Sequence, residues 1–158
     1  MRNPLNVGLG FGLTSGVITT LGMIIGLNAA THSESAVVGG ILTVALADAF
    51  SDALGIHITE ESTGKRSEAY TWKATFSTFF FKIVFALSFI LPFVFLEYNN
   101  AIFACIAWAG LVIGVFSYII GKRRGEKPFG VVAEHLLVSV LVVIITQIVG
   151  GFISKYFK

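Results

Sequence analysis

The chain is poor in charge, and that decides its class. Only 13% of its 158 residues are charged, against about a quarter in soluble domains. So few charges cannot furnish a solvated surface around the 55% of residues that are hydrophobic. With a mean hydropathy of +0.84, the sequence reads as an integral membrane protein. A single cysteine, Cys105, excludes an internal disulfide and any multi-cysteine metal site, and its expected role is packing inside a helix. The net charge of +2 gives no support to a nucleic-acid partner. No cleavable signal peptide is expected, because the first apolar run outlasts an h-region of roughly 7 to 15 residues.

What is present is a set of apolar runs long enough to cross about 30 Å of hydrocarbon as helices, without the alternation of barrel strands. The expected fold is an all-α membrane protein forming a single transmembrane domain over 1–158, with five transmembrane helices at about 7–27, 36–57, 74–96, 101–121 and 131–153. The first carries Gly8, Gly12 and Gly16, then Gly22 and Gly26, at four-residue spacing. Small residues so placed let a neighbouring helix approach closely, so tight packing is the favoured reading. Residues 28–35 and 58–73 read as polar loops, and Pro92 is expected to kink the third helix. Five crossings put the termini on opposite sides. A cytoplasmic N-terminus gathers Arg2, Lys65, Arg66, Lys73, Lys122, Arg123, Arg124 and Lys127 inside and leaves Lys155 and Lys158 outside, as the positive-inside rule requires.

Within the second helix stand two carboxylates, Asp48 and Asp52. Four residues apart, they share one helix face about 6 Å apart along the axis. An ionised carboxylate in the bilayer is costly, so such a pair normally faces protein, water, a proton or a cation. From the expected helix ends, Asp48 lies roughly 13 Å from the cytoplasmic boundary, Asp52 roughly 7 Å, and Ser15 and Lys82 roughly 12 Å. The polar groups of three helices therefore share one band. Thr14 and Ser15 are weaker oxygen ligands for a path through that band. Lys82 is expected to snorkel to the cytoplasmic interface. The alternative is a bridge to Asp48 or Asp52, which occupies the cation site and weakens metal binding. Glu60 and Glu61, with His57, mark the cytoplasmic mouth, where they either hand a cation inward or simply end a helix in solvent. Glu134 and His135 open the fifth helix, where an acid suits the helix N-terminus.

The run SGVITTLGMIIGL in the first helix and ALADAFSDALGIHIT in the second resemble the two opening helices of the vacuolar iron transporter family. GVFSYIIGKRRGEKP, AEHLL and TQIVGGFI fit that family's later order and spacing. The resemblance implies a five-helix homodimer with a cytoplasmic N-terminus that exchanges Fe²⁺ or Mn²⁺ for protons and exports the metal from the cytosol, with no bound cofactor. Only Asp48 matches a family acid directly. Ser15 stands where the family carries an aspartate, Asp52 where it carries a methionine, and Val44 where some members carry an acid. The family's metal-binding insertion is reduced to Thr59–Lys73, whose acids are Glu60, Glu61 and Glu68.

Hard divalent cations take carboxylate and hydroxyl oxygens, and binding requires those groups to give up protons, so proton and metal compete. The expected function is therefore a proton-coupled divalent-cation transporter in a prokaryotic plasma membrane, its partners being metal ions, protons, lipid and a second copy. A non-transporting homologue acting as a structural partner or sensor is the alternative. An enzyme is not expected. The Asp48–Asp52 spacing matches only the closing half of a CDP-alcohol phosphotransferase motif, the elements of intramembrane aspartyl proteolysis are absent, and no Ser–His or Cys–His pair is expected to share a depth.

Overall fold

The computed structural model describes residues 3–157. Among them every regular element is a helix: α1 Pro4–Thr31, α2 Glu34–Ser62, α3 Glu68–Ser88, α4 Leu91–Phe95, α5 Tyr98–Arg124 and α6 Pro128–Tyr156. Arg2 and Lys158, counted in the charge asymmetry above, lie outside the described residues. Taken together, α3 and α4 make one candidate span, so five helices are long and apolar enough to cross a membrane, as an integral membrane protein requires.

Each span is longer than its apolar core alone predicts, and serine caps open two of them. The expected loop at 28–35 shrinks to His32 and Ser33. His32 turns the chain with a positive φ of 49°, and the Ser33 hydroxyl accepts the Ala36 N–H at 3.3 Å, a serine N-cap. Ser67 does the same for α3, accepting the Tyr70 N–H at 3.3 Å. Glu34 and Glu68 occupy the first turns of their helices, where a negative charge suits the N-terminal end of the macrodipole. Gly125, at φ 70°, closes α5 in the left-handed conformation, which glycine adopts without a Cβ penalty. Pro92 corrects one expectation in detail. The third span is interrupted rather than bent, with α3 ending at Ser88 and Pro92 sitting in the first turn of α4, where its missing N–H costs no helical bond.

The chain forms two compact units, one made of the residues up to Thr20 with Ile41–Ser88, the other of Leu21–Gly40 with the residues from Phe89 onward. In the first, α1 lies close against α3. A Cβ on Gly12 would stand 2.7 Å from the Thr78 carbonyl oxygen and 3.0 Å from the Lys82 backbone nitrogen, and one on Gly16 3.0 Å from the Lys82 carbonyl oxygen. The buried stripe of α2, Ile41, Ala45, Ala49 and Ala53, repeats every four residues with small side chains, which again favours close helix approach. In the second unit, a Cβ on Gly22 would lie 2.9 Å from Val142 and one on Gly150 2.7 Å from the Ala29 Cβ. There α5 packs along α6, Tyr98 donates to Asn28 at 2.8 Å, and Cys105 is fully buried against the Phe89 carbonyl. Large apolar side chains such as Leu46, Phe50, Phe76, Phe80, Ile145 and Ile148 point outward. Exposure on that scale suits lipid rather than water.

Candidate functional site

In the first unit three helices bring four polar side chains to one point. Lys82 on α3 places Nζ 2.5 Å from Asp48 Oδ2 and in contact with Asp52 Oδ2, both on α2. It also donates to Ser15 Oγ on α1 at 2.6 Å. Ser15 in turn donates to Asp52 Oδ2 at 2.7 Å. The ammonium thus meets three oxygens, donating to Ser15 and Asp52 and forming an ion pair with Asp48. Its side chain is 1% exposed, against 18% for Asp52 and 30% for Asp48. The two acids are not equivalent. Asp52 makes aligned hydrogen bonds to Lys82 and Ser15, whereas Asp48 Oδ2, itself buried, has ion-pair proximity without hydrogen-bond alignment.

The local structure explains the meeting. Gly12 and Gly16 remove the bulk that would hold α1 away from the Lys82 backbone, so Ser15 comes within reach of Nζ. The i, i+4 spacing on α2 sets both carboxylates on the same side. The expectation that Lys82 snorkels is corrected, and helix length supplies the reason. Lys82 stands 14 residues into a span beginning at Glu68, about 21 Å from that end. Asp48 lies 14 residues from either end of α2, likewise about 21 Å. The lysine stem is too short to lift the ammonium to the headgroups from mid-span, so charge pairing replaces snorkelling.

The cluster carries one positive and two negative formal charges, leaving a net −1 in apolar surroundings. Its chemistry is that of a cation site already holding a cation, the ammonium. Among the described residues no group of three or more His, Cys, Asp or Glu side chains could hold a metal ion. One chain therefore offers two carboxylates and the Ser15 hydroxyl, fewer than the six or more oxygens that Mg²⁺ or Ca²⁺ takes.

The remaining sequence candidates are placed as follows. Thr14 is half-buried beside Ser15 and makes none of the cluster's contacts. Glu60, near the end of α2, lies 3.9 Å from Arg66, and Glu61 is exposed. His57 pairs with Thr75 at 3.1 Å and lies against Trp72, beside an apolar cavity of about 380 Å³ lined also by Phe50, Leu54, Phe76 and Phe79. Glu134 is exposed near the start of α6 in the second unit. Next to it, His135 Nδ1 lies 2.7 Å from Ser117 Oγ, which corrects the expectation that no serine and histidine share a depth. The signal was in the sequence. Ser117 is eight residues before Gly125 and His135 eight after Lys127, and a short connection sets equidistant residues of antiparallel helices side by side. With Ser117 buried, the pair is a satisfied polar contact between α5 and α6.

Fold and site together define a helical membrane-type protein with a charged cluster deep in its apolar spans. The chain matches no family model, no curated protein and no solved structure.

Proposed function

We propose that this protein is a proton-coupled transporter of a divalent cation such as Fe²⁺ or Mn²⁺, exporting it from the cytosol. The observation that carries the reading is the net-negative Asp48–Asp52–Ser15–Lys82 cluster, set at mid-span on three helices. Ionisable groups at that depth are costly and are normally kept for ion or proton movement. The resemblance of the first two helices to the vacuolar iron transporter family points the same way.

The working unit in this reading is a homodimer with the α2 helices facing each other, each copy supplying Asp48 and Asp52. Two copies offer four carboxylates, closer to what a hard divalent cation demands. The outward face of α2 suits such a contact, since Ala47, Ser51 and Gly55 are small and exposed. The clustering of Lys65, Arg66, Lys73, Lys122, Arg123, Arg124 and Lys127 at the α2–α3 and α5–α6 connections and the helix ends beside them, which five crossings put on one side, favours a cytoplasmic N-terminus. A prokaryotic plasma membrane is the host in this reading.

A second reading is favoured by one observation. Lys82 already neutralises part of the acid pair, as a non-transporting homologue that uses the cluster only to join its helices requires. Uptake of Mn²⁺ or Fe²⁺ into proteoliposomes against an imposed pH gradient separates the two. Transport lost in Asp48→Asn supports the exchanger. No flux of any divalent ion supports the non-transporting homologue, and flux indifferent to Asp48→Asn and Asp52→Asn removes this cluster from the path.

A further inference from the structure

We propose that Lys82 is a tethered competitor, its ammonium occupying the position a transported cation takes, so that a cation binds only by displacing it. The inference rests on the transporter reading and adds to it the residue that sets the site's affinity. Three observations carry it. The ammonium touches both carboxylates and Ser15 Oγ, so the oxygens nearest to it are those a cation would use. It is buried almost completely, so it is held among these oxygens rather than reaching solvent. Among the described residues no other cation lies within ion-pair distance of either aspartate: Arg66 pairs with Glu60 and Arg124 with Glu126.

The remaining ionisable groups on the packed elements, Glu34, His57, Glu60 and Glu61 on α2 and Glu68, Tyr70 and Lys73 on α3, lie toward the helix ends. His57 is engaged with Thr75. Removal of Lys82 therefore frees both carboxylates at once. Two cations sharing the same oxygens repel strongly where the dielectric is low, so a lysine in place must lower the apparent affinity for a divalent ion. Once displaced, the ammonium stays on its stem and returns when the ion leaves, which favours release over tight holding.

The test is Mn²⁺ binding to the purified, lipid-reconstituted full chain, read from the loss of the free-Mn²⁺ electron paramagnetic resonance signal. Lys82→Gln is expected to tighten Mn²⁺ binding at least tenfold, while Lys82→Arg, which keeps the charge, does not. Because Lys82→Gln leaves two buried carboxylates uncompensated, the same comparison is made in an Asp52→Asn background. There the Lys82→Gln/Asp52→Asn pair has the native net charge of the cluster. It is expected to bind Mn²⁺ at least tenfold more tightly than Asp52→Asn alone. Mn²⁺ binding to the native chain that is unchanged or weakened in both Lys82→Gln comparisons overturns the competitor role and leaves the transporter reading standing. Absence of Mn²⁺ binding in every variant, at concentrations up to the millimolar range, overturns both. Binding that appears only once Lys82 is removed supports the competitor.

Discussion

Pairwise neutralisation of Asp48 and Asp52 should cost more than the two separate changes combined. In Asp52→Asn the ammonium keeps Asp48 at 2.5 Å and Ser15 at 2.6 Å. What is lost is the charged character of the aligned hydrogen bonds from Lys82 and Ser15, about 1.5–3 kcal/mol. Asp48→Asn should cost no more than that, since its carboxylate is the more exposed of the two and is not aligned for a hydrogen bond. In the double variant the ammonium is left in an apolar interior with no counter-charge, a situation that costs about 3–5 kcal/mol when a buried pair is broken. Asp48→Asn alone leaves the ammonium its two aligned acceptors and should cost little, so the double loss should exceed the sum of the single losses by about 1–2 kcal/mol, the cost of the stranded ammonium less that of Asp52→Asn, within the range of coupling seen for residues in one network. Reversible unfolding of the four proteins of this cycle in mixed detergent micelles reads it directly. Additivity within about 0.5 kcal/mol would refute the claim that both acids serve one buried cation.

Further outcomes follow from the packing. Gly12→Ala places a Cβ 2.7 Å from the Thr78 carbonyl oxygen and should destabilise the protein by about 1–3 kcal/mol. Gly10→Ala meets nothing within 4 Å and should be neutral or stabilising by up to about 1 kcal/mol, so the difference between their thermal midpoints is the measurement. Cys105, fully buried, should resist maleimide in the folded protein and react after unfolding; rapid labelling of folded protein would contradict its placement. Ser117→Ala removes the partner of His135 Nδ1 and should cost about 1 kcal/mol in the same unfolding assay, with Mn²⁺ uptake unchanged.

The five spans were legible because each contains an uninterrupted apolar run, and nothing soluble explains five of them. Their ends were not. Ser33 and Ser67 supply caps that carry α2 and α3 through residues whose polarity alone suggests loops. That error fed directly into the site. With helices drawn too short, Lys82 seemed near the cytoplasmic boundary and free to snorkel. The real span puts it 14 residues from the Glu68 end and near the middle of the span, where a counter-charge is the natural partner for an ammonium. The shared band of Ser15, Asp48 and Lys82 survived the same error because helical rise moves all three together. Contact between Ser117 and His135 was readable from the short α5–α6 connection, but only by counting outward from the turn rather than along each helix.

In the proposed transporter the cluster must do two jobs whose physical demands conflict. Helices in lipid gain little from hydrophobic association, so close packing and polar contacts hold them together. Here Gly12 and Gly16 supply the first and the Lys82–Asp52–Ser15 contacts the second. A strong clasp wants the ammonium fixed, whereas a cation path wants it displaceable. The asymmetry between the acids separates the demands. Asp52, hydrogen-bonded and the less exposed, is suited to anchor the lysine, and Asp48, unaligned and more exposed, is suited to meet an arriving ion first. Asp52→Asn should then chiefly lower stability and Asp48→Asn chiefly lower Mn²⁺ uptake. Parallel loss of both properties in both variants would mean that the two carboxylates act as one structural unit.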